Sequence, residues 1–285
     1  MEKHKKKTAR IEVAVFIGIV FGLSLFLYVP LYRGGSDVSQ SLGLVVALMW
    51  IPTGAAGLTY AISSVRAQAG VFATAKRLIG SVRVLGLGGP GRRLQNIGRI
   101  AVAAVFPIGI AAIAYSIAWR SGLATFVSMT PGISPLRSLL GEIARAATVG
   151  TAFGTIIVLG EEIGWRGFFA ARIAESSVPR PALFGGLVWA CWHIPLIVTG
   201  HYAGGPSPIV AALAFALLAI ALHTLWTGWY LRGGSLWPAI IGHSAWNTIT
   251  ARTCRGSPSL DGVGKRAVYW WHAISNSGPF RPQGE

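Results

Sequence analysis

The chain has 285 residues, of which 53% are hydrophobic and only 12% charged, against roughly 25% charged in an average soluble domain. A soluble globule is therefore excluded, and the apolar residues instead gather in blocks long enough to cross about 30 Å of hydrocarbon. Lys and Arg total 25 against 9 Asp and Glu, a formal net charge of +16, yet most basic residues flank the apolar blocks, which is the placement of topology signals and lipid contacts and not of a nucleic-acid groove.

Taken in chain order, the first element is a basic tail (Lys3, Lys5, Lys6, Lys7, Arg10) followed by an apolar run from Val13 to Val29. That run is longer than the core of a signal peptide and no small-residue cleavage site follows it, so it reads as an uncleaved first span. Further spans are predicted over Leu42 to Ile62, Ile100 to Trp119, Leu139 to Gly160, Pro181 to Val198, Pro208 to Leu231 and Ser235 to Thr250. The fold class is thus all-α, a polytopic transmembrane bundle of seven or eight helices. Val268 to Ile274 is too short to cross, but a basic tail (Arg252, Arg255, Lys265, Arg266) argues for an inside C-terminus and leaves the eighth crossing open. The chain divides into N-terminal spans with a basic tail and loop (1–99), a transmembrane core (100–250) and a polar tail (251–285). The 37 glycines suit close helix packing in lipid. Cys191 and Cys254 form no disulfide framework or metal knuckle and read as free thiols.

Basic residues set the orientation. Arg66, Lys76, Arg77, Arg83, Arg92, Arg93 and Arg99 fall in one stretch without an acid, and with the N-terminal tail they predict a multi-pass cell-membrane protein whose N-terminus is cytoplasmic. Alternate threading puts the 160–180 segment and the Arg232-Gly233-Gly234 turn on the same side. Gly164 and Gly167 beside Arg166 and Arg172 suggest that the chain turns interfacial just after residue 162, with Trp165, Phe168 and Phe169 at headgroup level.

With so few acids, the adjacent Glu161 and Glu162 at the end of an apolar run require a cause. Helical neighbours differ by about 100°, so Glu162 faces Arg166 at i, i+4 while Glu161 points elsewhere. A solvated ion pair at a helix end is the plain reading of these three residues. A charge at membrane depth costs at least about 2.5 kcal/mol and carries functional weight by default. Three histidines lie within spans. His223 has only Thr227 near it in helical spacing and reads as a packing residue. His243 shares a helix face with Asn247, and His193 follows Trp189 by one turn and precedes Pro195, which frees backbone carbonyls and opens the helix to water. Counted at about 1.5 Å per residue, His193 lies about 18 Å from Pro181, His243 about 12 Å from Ser235 and Glu161 about 33 Å from Leu139. These depths meet only if the fourth span tilts, begins outside the membrane or lines an open cavity.

Glu161-Glu162-x-x-x-Arg166, then Trp189-x-x-x-His193, then His243-x-x-x-Asn247 with its lead-in from Gly234 to Gly242, resembles the CPBP family of intramembrane proteases, also called the Abi or CAAX-protease family. The family includes the eukaryotic enzyme that removes the last three residues of prenylated CAAX proteins. The resemblance covers about Gly160 to Asn247, and Trp189 stands where the family usually has Phe. It implies hydrolysis of a peptide bond in a membrane-associated peptide or protein, with membrane lipid as the surrounding partner and no nucleic acid. Glu161, helped by His193, would activate the water, and His243 with Asn247 would hold the oxyanion. Alternatively Glu161, His193 and His243 would hold zinc or another divalent metal, although the His-Glu-x-x-His helix of many zinc proteases is absent. Two rival readings stand beside this one. A catalytically silent family member would serve as an immunity or partner-binding protein. A proton- or ion-coupled transporter would line a whole pathway with polar groups, whereas the first three spans are almost free of ionisable residues.

Overall fold

A computed structural model describes residues 2–34, 42–66, 85–86, 92–122, 132–199 and 207–253. These residues form seven helices: α1 (Glu2–Gly34), α2 (Leu42–Arg66), α3 (Arg93–Arg120), α4 (Pro135–Ser176), α5 (Pro181–Val198), α6 (Pro208–Gly233) and α7 (Trp237–Thr253). The first six are long and apolar enough to cross a membrane, and α7, at 17 residues, is slightly shorter. The protein is an all-α, multi-pass membrane bundle. The Val268 to Ile274 segment, Cys254 and most of the basic 66–99 stretch lie outside the described residues. Cys191 is a free, exposed thiol.

Local chemistry explains several ends. Pro181 opens α5 in the first turn, where its missing amide costs nothing. The Ser207 hydroxyl caps α6 by accepting the amide of Val210, and Gly234 closes that helix at φ +66, a left-handed conformation that glycine adopts without strain.

The fourth helix departs from the sequence expectation. The segment does not end at Gly160; it stays helical from Pro135 to Ser176, 42 residues or about 63 Å. That is twice the hydrocarbon thickness, so part of α4 stands outside it, and Arg137, Glu142 and Arg145 mark the first turns as that part. Contacts with α5 and α7 bring the glutamates level with the histidines: Glu162 bonds His243, and Glu161 bonds Trp189, one turn before His193. Two π-helical stretches, 146–150 and 163–170, interrupt its α-helical ladder.

Trp165, Phe168 and Phe169 are packed into the bundle, only 0%, 2% and 0% exposed. Phe16 of α1 meets their rings at 5.4, 5.2 and 5.1 Å. Tyr60 of α2 and Trp192 of α5 complete this cluster, at 4.8 Å from Phe168 and 5.7 Å from Trp165 respectively. An aromatic belt was expected because tryptophan next to arginine suits an interface; the partners that bury these rings come from helices distant in sequence. Tyr28 Oη donates to the Trp192 carbonyl and Trp192 Nε1 to Ser24 Oγ, which fixes α1 against α5. Glu12 of α1 is also buried, with Arg172 Nε of α4 at 3.6 Å.

Close approach positions α4 on its other sides. A side chain on Gly160 would collide with the Met49 carbonyl and the Trp50 ring, and one on Gly164 with the Pro52 backbone, so α2 packs directly on the turns that carry the glutamates. On the opposite side Gly154 lets α7 approach, and Ser244 Oγ donates to the Thr151 carbonyl at 2.7 Å. Thr248 Oγ1 donates to the Ala146 carbonyl at 3.3 Å, a carbonyl that also receives the Thr151 hydroxyl at 2.9 Å. These bonds satisfy polar groups at the first π stretch and register α7 against α4.

Candidate active site

Glu161 and Glu162 occupy the last turn before the second π stretch of α4 and are 1% and 0% exposed. Burying two carboxylates requires compensation. Glu162 obtains it twice on the same oxygen: Arg166 Nη1 donates to Glu162 Oε1 at 2.7 Å, and His243 Nδ1 of α7 lies 2.8 Å from that atom. The i, i+4 pair expected from spacing is present, while the contact across to His243 had no signature in the sequence. Because a carboxylate oxygen accepts, His243 Nδ1 carries a proton, and its Nε2 can donate only when the ring is an imidazolium.

Glu161 has no direct bond to Arg166 and is held instead from α5. Trp189 Nε1 donates to Glu161 Oε2 at 3.0 Å. One turn later His193 Nδ1 lies 2.9 Å from the Trp189 carbonyl, so Nδ1 is protonated and, in the neutral ring, Nε2 is an acceptor. Trp189 also meets the rings of His193 and His243 edge-on at 5.3 and 5.6 Å. With Arg166 also over its ring, it touches four of the site residues, and its indole N–H does what a phenylalanine there could not.

Arg166 is wholly buried, its guanidinium 4.2 Å from the Trp189 ring centroid and 5.0 Å from that of Trp226 in α6. Held between two indoles, the cation gains about 2 kcal/mol in a desolvated setting. Trp226 also stacks on His243, with centroids 5.0 Å apart and planes at 24°. Trp226 had no signature as a site residue, and Trp189, legible as the aromatic member of the Trp189-x-x-x-His193 motif, gave no sign of its contacts to Glu161 and Arg166. His223, predicted to be a packing residue, is fully buried against Gly185, where a Cβ would meet its ring.

His243 and Asn247 share a face of α7 and line one small cavity of about 10 Å3 together with Trp189 and Trp226. That is about one water. The structure thus brings Glu162, Arg166 and His243 into one bonded group, links Glu161 and His193 through Trp189, and sets Asn247 beside His243 at the cavity.

The metal alternative fares differently. Among the described residues, no three His, Cys, Asp or Glu side chains are grouped to hold an ion. The Trp189 indole engages Glu161 Oε2, while the Trp189 carbonyl and Glu162 engage Nδ1 of His193 and of His243, which leaves Nε2 of each ring outside these bonds.

Residues 144–249 match the family model described as type II CAAX prenyl endopeptidase Rce1-like. All six site residues fall inside that stretch, and the resemblance to the CPBP family read from the motifs is thereby shown. No curated protein and no solved structure matches the chain.

Proposed function

We propose that this chain is an intramembrane endopeptidase of the CAAX-protease type, working from its family-matched stretch with a glutamate-activated water. The observation that carries the reading is the division of labour between the adjacent glutamates. Glu162 is neutralised by Arg166 and His243, whereas Glu161 is oriented by Trp189 toward α5 and His193.

In this reading Glu161 removes a proton from water while His193 Nε2 accepts the other hydrogen, so the oxygen attacks the scissile carbonyl carbon. The charge that develops on the carbonyl oxygen is met by the Asn247 amide and by the His243 imidazolium, whose Nδ1–H is held by Glu162. Collapse breaks the carbon–nitrogen bond, and the proton held by Glu161 passes to the departing amine. The apolar walls exclude bulk water, which strengthens each of these contacts.

The substrates proposed are membrane-associated proteins with a prenylated C-terminal segment, reached from within a cell membrane in which the N-terminus faces the cytoplasm. The test is hydrolysis of a prenylated CAAX peptide by purified protein in liposomes, followed by mass spectrometry. Release of a C-terminal fragment is expected; an intact peptide in the presence of folded protein would contradict an enzymatic role and favour a partner-binding one.

A further inference from the structure

On the outer side of the bundle, away from the glutamates, the end of α4, the start of α5 and the last turns of α6 enclose a groove of about 390 Å3. Small residues form its walls, among them Ala170, Ala174, Ala182 and Gly228, and Leu231, 48% exposed, stands at its side. Three polar side chains interrupt this apolar lining, of which Thr224 already donates its hydroxyl to the Ile220 carbonyl at 2.7 Å, leaving Thr227 and Arg232. The Thr227 hydroxyl is buried and has no hydrogen-bond partner among the described residues. Arg232 folds back along α6 so that its Nη1 lies 3.0 Å from the position a Cβ on Gly228 would take, and among the described residues it has no carboxylate partner.

We infer that this groove binds one anionic diacyl phospholipid, with the phosphate on Arg232, an ester oxygen accepting from Thr227 and an acyl chain along the alanine wall. The spacing suits such a ligand: five residues separate the two polar groups on α6, about 7–8 Å along the axis, with the cation at the helix end and the hydroxyl deeper. The groove faces outward on a helix whose flanking residues are exposed apolar side chains, as a surface washed by lipid must be. An unpaired buried hydroxyl is costly and is satisfied by an acceptor brought in from outside. Charge complementarity also favours lipid over a second copy of the chain, which has only 9 acids against 25 basic residues. The site stands independently of peptide hydrolysis.

The experiment is thermal melting of the purified protein in a neutral detergent with phosphatidylglycerol, with phosphatidylcholine of the same chains, or with glycerol phosphate. Phosphatidylglycerol at tenfold excess over its dissociation constant is expected to raise the melting temperature by about 2–3 °C, and the other two are expected to leave it unchanged. Arg232→Gln should abolish that gain and Thr227→Val reduce it, whereas Arg120→Gln, which alters an exposed arginine elsewhere, should keep it. Ala174→Leu fills the groove with the charges intact and should also lose the gain, which protects the test should Arg232→Gln fold poorly. Equal shifts with phosphatidylcholine, the full shift with glycerol phosphate alone, or equal losses in Arg232→Gln and Arg120→Gln would overturn the site. So would a second copy bound in the groove, seen as a dimer that lipid dissociates.

Discussion

Trp189 is the residue at which this chain differs most usefully from the usual pattern of the family it resembles. Phenylalanine there would keep the ring packing on Arg166, His193 and His243 but lose the N–H that orients Glu161. Losing a hydrogen bond to a charged group costs about 1.5–3 kcal/mol. Trp189→Phe is therefore expected to lower kcat roughly tenfold or more with little change in melting temperature, and an unchanged kcat would show that other contacts orient the carboxylate. Arg166 makes the opposite case. It is the counter-charge of a buried carboxylate, so Arg166→Ala or Glu162→Ala should each lower stability by about 3–5 kcal/mol, read as early melting in detergent. Replacing both by neutral residues of similar volume should restore part of that loss, since the penalty arises from an orphaned charge.

At the scale of elements, the site depends on how closely α2 and α7 approach α4. Gly164 rests on the backbone of Pro52, and a main chain cannot rotate away as a side chain can. Gly164→Ala is expected to destabilise the bundle by about 1–3 kcal/mol, whereas the same change at Gly141, where nothing lies within contact distance, should be tolerated. Melting of the two variants side by side tests this. The elements were largely legible in the sequence, because apolar length, helix-start proline and glycine stops are local signals: Pro181 opens α5, and α6 stops at Gly233, two residues beyond the predicted Leu231. The continuation of α4 past Gly160 was not, since the aromatic residues after it are buried by Phe16, Tyr60 and Trp192 from other helices. The site divides in the same way. Glu162 with Arg166 and His243 with Asn247 follow from helical spacing, while the bond from Glu162 to His243 spans 81 residues and could be found only in three dimensions.

For the whole molecule, chelation separates the two ways of activating water. If Glu161 activates the water without a metal, a strong chelator should leave turnover unchanged and purified active protein should contain less than one equivalent of metal. Loss of activity on chelation that zinc restores would instead require the donors to regroup. The most direct measurement is turnover per folded molecule for Glu161→Gln in liposomes, beside its melting temperature. Glu161 neither pairs with Arg166 nor bonds His243, so its neutralisation should spare the fold while removing the base, with a rate at least 10²-fold below wild type. A folded Glu161→Gln protein that hydrolyses the peptide at the wild-type rate would contradict hydrolysis by this glutamate.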